Sequence, residues 1–222
     1  MMRRAFLAFA LACGLVGAAD AAPLPRYAAG QAFIFDNGRV ELVREVRNDR
    51  VVWSARSGRP YVRSANPVVP ILEWSFRGQT GRRTVLGDPD RLWPLRAGRR
   101  VEFRTLNVAT DADERARRSI HLWSCAARTP VTLDVPAGRF TAIPVVCDRF
   151  SHNSMRVLER LTWHYSEEVG HYIRREARDM SDGSVETYAL FATLPPHAAN
   201  DVRIETLARQ ARAASAGSRP QR

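Results

Sequence analysis

The residues best placed to do chemistry fall in one short stretch, W-H-Y-S-E-E-V-G-H-Y, from Trp163 to Tyr172. It reads as two strands and a turn. With the turn centred on Glu167 and Glu168, His164 and His171 face each other across the hairpin, with Cβ atoms about 5 Å apart. Two imidazoles and the Glu167 carboxylate would then suit zinc or copper. A bulge at Gly170 moves the register by one and separates the pair. The plainer reading, edge histidines that meet solvent, is preferred, and no metal or other cofactor is expected.

Other reactive groupings are weaker still. Neither G-x-S-x-G nor H-E-x-x-H occurs, and His121, His152 and His197 are isolated. Asp88 and Asp90 in G-D-P-D lack the alternating oxygen ligands of a calcium loop. Beside Trp93 they resemble a glycosidase pair, but such pairs are common in turns. No catalytic residue is assigned. A secreted hydrolase with a site of unfamiliar form stands as the alternative.

Cys125 and Cys147 carry a different chemistry. They flank V-T-L-D-V-P-A-G-R-F-T-A-I-P-V-V-C, a hairpin whose turn is Pro136-Ala137-Gly138. Folding it about Ala137 and Gly138 pairs residue numbers that sum to about 275, and the two cysteines sum to 272. They therefore lie nearly opposite. A redox pair would be C-x-x-C at a helix start, so a structural cross-strand disulfide is expected.

These groups must be held by strands. Q-A-F-I-F-D-N-G-R-V-E-L-V-R-E-V alternates about Asp-Asn-Gly, a hairpin signal. Further strands are read at Val51–Trp53, Ile71–Phe76 and Arg99–Leu106. N-V-A-T-D-A-D-E-R-A-R-R is read as an exposed connection. S-I-H-L-W-S-C-A-A opens the second half, and two hairpins follow, turning at 166–170 and 181–184. Leu161, Trp163 and Tyr165 keep period two. The fold class expected is all-β: an antiparallel, strongly curved sheet or incomplete barrel of hairpins. The β-rich domain is placed at 22–195, with halves 27–106 and 118–195 conceivable. A helical or disordered tail covers 196–222, with Val202, Ile204 (or Leu207) and Ala211 forming a weak stripe.

Residues 1–21 are read as an export signal: Arg3 and Arg4, an apolar run, and an Ala19-Asp20-Ala21 cleavage site. Twin-arginine export and a lipoprotein anchored through Cys13 are the variants. No later run is apolar enough for a membrane-spanning helix. The formal charge is +11, every basic residue is arginine, and these arginines are interleaved with acids. The absence of lysine is a mark of genome composition, so the arginines carry little functional weight here. No nucleic-acid-reading motif accompanies them, and no nucleic-acid partner is expected.

Three pieces carry a family resemblance: L-W-P-L-R-A-G-R-R-V-E-F, V-T-L-D-V-P-A-G-R-F and L-T-W-H-Y-S-E-E-V-G. They resemble proteobacterial periplasmic or envelope β-rich domains of unknown function with the pattern PL-x-x-G-K, V-P-A-G-T-F and Y-x-P-E-V-G. The resemblance covers roughly Leu92 to Leu194. Glu167 stands for the usual proline, Arg139 for threonine and Arg99 for lysine. It implies a curved antiparallel sheet and an envelope location. It is also distantly similar to lipoprotein carriers, whose concave sheet holds acyl chains. It supplies no catalytic residue.

Five tryptophans are spread along the strands. Core is their default place. In an open half-barrel, Trp123, Trp163 and Tyr165 are the candidates to line the concave side. An apolar concavity rimmed by arginine suits an amphiphile with an anionic head. The expectation is a non-catalytic exported envelope protein holding such a ligand. The further alternative is a partner-binding module whose basic C-terminal tail docks on a protein or on anionic lipid.

Overall fold

The computed structural model describes residues 21–76, 78–113 and 115–217. Cys13 and nearly all of the segment read as an export signal lie outside the described residues. The strands are β1 (Ala32–Phe35), β2 (Val40–Arg47), β3 (Arg50–Ser54), β4 (Pro60–Ser64), β5 (Glu73–Phe76), β6 (Gln79–Leu86) and β7 (Arg100–Thr110). They continue with β8 (Ala116–Ala127), β9 (Val131–Val135), β10 (Gly138–Ser151), β11 (Val157–Ser166), β12 (His171–Asp179) and β13 (Val185–Leu194). One helix, α1 (Asp201–Gly217), ends the chain's described part.

All strand neighbours are antiparallel, and the sheet curls as expected. It also closes. β10 pairs with β8 on one side and β11 on the other, which joins the two ends into a barrel of 12 strands. Closure removes both free edges, the usual aggregation hazard of a large sheet. The strand β9 stands outside the ring, paired to the first residues of the long β10.

Two strands are absent from the sequence reading. β4 hides behind Pro60, and β6 is mostly polar and exposed on its outer side. The polar stretch read as a connection is also strand: β7 and β8 pair through Asn107↔Ser119 to Thr110↔Ala116. The inward positions there are polar or small, Asn107, Ala109, Arg117 and Ser119, so no apolar face marks the alternation.

Cys125 and Cys147 are direct register partners, Cα atoms 4.0 Å apart, and form the disulfide. Both are buried on the inner wall. The staple therefore ties β8 to β10, one of the contacts that close the ring.

The two ends of the barrel differ. The end holding the loops 65–72 and 87–99 is plugged. Leu92 and Leu95 are fully buried there, and Leu95 N–H donates to the Ala22 carbonyl at 2.8 Å. The β9–β10 turn reaches across to β13, with Ala137 N–H donating to Leu190 O at 3.0 Å. The opposite end gathers the turns after β1, β3, β5, β7, β10 and β12. It has no such plug among the described residues.

Helix α1 lies on the outside. Ile204, Ala208 and Ala211 pack on Ala32, Ile34, Val40, Leu42 and Leu194, the outward side chains of β13, β1 and β2. Arg56 grips Glu205 through two hydrogen bonds of 2.7 Å, and Ser215 Oγ donates to the Asp36 carbonyl at 2.8 Å. One correction follows: Val202 is 78% exposed and off the stripe. The apolar stripe that the tail does have, Ile204, Ala208 and Ala211, is covered by its own barrel.

Candidate functional site

Side chains alternate across each strand, so the register decides which of them enter the barrel. Starting from the buried Cys125 and Cys147, parity points Trp123 on β8 and Arg149 on β10 inward. It carries on to Leu161, Trp163 and Glu159 on β11, and to Arg175 and Tyr188 on β12 and β13. From β7 the same rule places Arg83, Trp74 and Arg63 inside on β6, β5 and β4. Together they surround a lumen of about 470 Å³ towards the unplugged end, floored in part by Pro70 and Ile71. That volume is within the range of small-molecule sites.

The wall combines tryptophan with arginine. Trp74, Trp123, Trp163 and Tyr188 supply the aromatic faces, and Arg39, Arg63, Arg83, Arg149 and Arg175 supply the charge. Trp123 stacks on Phe103 and donates from Nε1 to Thr105 Oγ1 at 3.1 Å. Trp74 lies flat against the wall because residue 81 is glycine. A Cβ there would sit 2.0 Å from the Trp74 ring. The Arg83 guanidinium stacks over that ring at 5.0 Å, a cation–π contact.

Four of the five arginines have acidic partners. Arg149 lies 3.2 Å from Glu159, Arg175 lies 3.4 Å from Glu186, and Arg39 and Arg63 share Glu41 at 3.1 and 3.6 Å. Arg83 has no carboxylate within salt-bridge distance among the described residues. It donates to Asn107 Oδ1 and to the Ile71 carbonyl instead. Burial, then the cations Arg149 and Arg63, pull its pKa down to about 10. The neighbourhood of Arg83 is therefore electropositive.

Glu41 anchors the inner end of this wall. It is wholly buried and accepts from Tyr172 Oη at 2.7 Å. Burial alone would raise its pKa. Arg39, His171 and Arg63 outweigh that and hold the carboxyl far below the usual carboxylate range. His171 Nε2 lies 3.3 Å from Glu41 Oε2, near enough for a charge contact but not aligned as a hydrogen bond. Its Nδ1 meets Tyr27 Oη at 2.9 Å. Burial depresses the His171 pKa, with the neighbouring Glu41 opposing.

The histidine pair of the sequence reading is not brought together. A bulge after His164 opposes it to Arg174 and sets His171 opposite Ser166. His164 points outward between the inward Trp163 and Tyr165. His171 is inside, stacked on Phe33 at 4.0 Å. The two rings are on opposite faces of the sheet, and Glu167 lies in the turn. No group of three metal-ligating side chains occurs among the described residues. Of the three aromatic candidates, Trp123 and Trp163 line the lumen. Tyr165 belongs to the plug, edge-on to Trp93 at 4.9 Å and donating to the Pro23 carbonyl at 3.3 Å.

The residues missed by sequence reading are the arginines and Glu41. A signal for some of them existed. Cys147 inward places Arg149 inward, and Leu161 inward places Glu159 inward. The genome-wide preference for arginine over lysine hides this signal in the sequence.

No family model matches the chain, and no curated protein matches it. Solved structures do. The hypothetical lipoprotein YmcC from Escherichia coli is 10% identical, with a TM-score of 0.50 over 74% of this chain and 84% of that one. The shared property is the fold. A Bacteroides fragilis protein, assigned as exported and described by its YmcC-like fold, is 12% identical with a TM-score of 0.42 over 79% of this chain and 100% of its own. The envelope motifs quoted above have no counterpart at family level, so that grouping rests on the residues themselves.

Proposed function

We propose that this chain is an exported, non-catalytic envelope protein whose barrel lumen holds an amphipathic ligand. The carrying observation is the lumen itself: three tryptophans and five arginines on one concave wall, open at one end. Aromatic faces remove apolar surface from water, and buried cations recognise an anionic group. Export is supported by the buried disulfide, which persists in oxidising compartments. It is supported too by the likeness in fold to a protein named a hypothetical lipoprotein.

Native mass spectrometry of the protein released from its own envelope tests this. A bound amphiphile is expected, and it should quench tryptophan fluorescence when returned to stripped protein. Stripped protein that binds no amphiphile of any charge ends the reading.

A further inference from the structure

The lumen wall is unbalanced in charge. Arg63 is 8% exposed and shares Glu41 with Arg39, and Arg149 meets Glu159 at 3.2 Å. Arg83 enters the same cavity with no carboxylate within salt-bridge distance among the described residues. A cation on a cavity wall without an anionic partner is a binding position for one.

Charge gives the kind of anion. Among the described residues, five arginines meet three carboxylates, Glu41, Glu159 and Glu186, so two positive charges remain. A phosphate monoester carries nearly two negative charges at neutral pH and several strong acceptor oxygens. A neutral head would leave that charge unmatched.

Shape gives the rest of the ligand. The lumen shares Arg39, Ile71 and Trp74 with a second cavity of about 510 Å³ at the barrel mouth, lined by Pro60, Tyr61 and Phe76. That notch runs from the inner wall to the rim and is mainly apolar on its β4–β5 side. Resting on the lumen as a ligand site, we infer that it takes a single-chain phosphate-monoester amphiphile. The head sits among Arg63, Arg83 and Arg149, and the chain leaves over Ile71 and Trp74 through the notch.

The test uses the full exported protein, stripped of ligand, and four probes in isothermal titration: monopalmitoylglycerol phosphate, palmitate, monopalmitoylglycerol and inorganic phosphate. The first is expected to bind tightest. Arg83→Gln should weaken it about tenfold or more and leave monopalmitoylglycerol unchanged, with Arg83→Lys in between. Trp74→Ala should weaken both palmitoyl glycerides and leave inorganic phosphate unchanged. Equal affinity for the neutral glyceride, or tighter binding of palmitate, overturns the head-group assignment while the lumen reading stands. Inorganic phosphate binding as tightly as the phosphate lipid overturns the chain. Failure of every probe removes both readings. The wild-type series decides these outcomes even where a variant does not fold.

Discussion

Glu41 is the residue whose removal should be felt most. Glu41→Gln keeps the volume and an oxygen for Tyr172 Oη, but it withdraws the negative charge between Arg39 and Arg63. Breaking one partner of a buried ion pair costs about 3–5 kcal/mol, because the other charge is stranded. Arg39 is partly exposed and regains some hydration, whereas Arg63 does not, so the lower end, about 3 kcal/mol, is expected. For a domain of this size each kcal/mol moves Tm by about 2–4 °C, which gives a drop of roughly 6–12 °C at neutral pH. The pH dependence has a defined sign. The folded carboxyl has a lowered pKa, so its contribution is complete above the ordinary value of 4.5 and is lost as pH falls below it. His171 acts in the same direction. Its folded pKa is depressed, so acidification below its ordinary value of 6.5 favours the unfolded chain. Calorimetric melts across pH should show wild type losing stability on acidification, with the gap to Glu41→Gln closing below the glutamate range. A variant that melts within about 2 °C of wild type at neutral pH refutes the buried network as an anchor of the lumen wall.

Three further outcomes are expected. Cys125→Ala with Cys147→Ala opens a loop of sequence separation 22 and should cost roughly 3 kcal/mol on the chain-entropy account, read by urea unfolding of oxidised and variant protein. Gly81→Ala puts a methyl carbon into the Trp74 ring, so the ring must swing into the lumen; a cost of about 1–3 kcal/mol and a changed tryptophan emission are expected. Unchanged emission would contradict the flat placement of Trp74. Ala208→Glu forces a carboxylate between α1 and the outer wall of β1 and β2, so a loss of at least about 2 kcal/mol is expected in the same unfolding assay.

The alternation of side chains was readable directly wherever one face is apolar. β11 shows it through Leu161, Trp163 and Tyr165, all inward, whereas both faces of the β1–β2 hairpin are apolar, Phe33 and Phe35 inside and Val40 and Leu42 outside under α1. The disulfide was readable too, because an antiparallel hairpin pairs residues of constant sum, and 272 is the sum observed across β8 and β10. Where a strand carries arginine or threonine on its outer face and a lone polar group inside, as in β6 and the distal parts of β7 and β8, the same alternation is invisible by hydrophobicity. The histidine pair failed for a related reason: one bulge reverses the face of every residue beyond it, and bulges leave little trace in composition.

Composition and periodicity determined by themselves that the chain is a hairpin-built antiparallel sheet, and the register of one hairpin determined its sulfur bridge, since these depend on residues within a single hairpin of about twenty residues. Closure of the ring, the plug at one end and the meeting of Glu41 with His171 depend on contacts between distant parts of the chain. The same holds for the convergence of Arg63, Arg83 and Arg149 on one cavity. No local pattern encodes which inward side chains end up facing across a lumen. Shear and barrel closure set that, and only the tertiary structure supplies them.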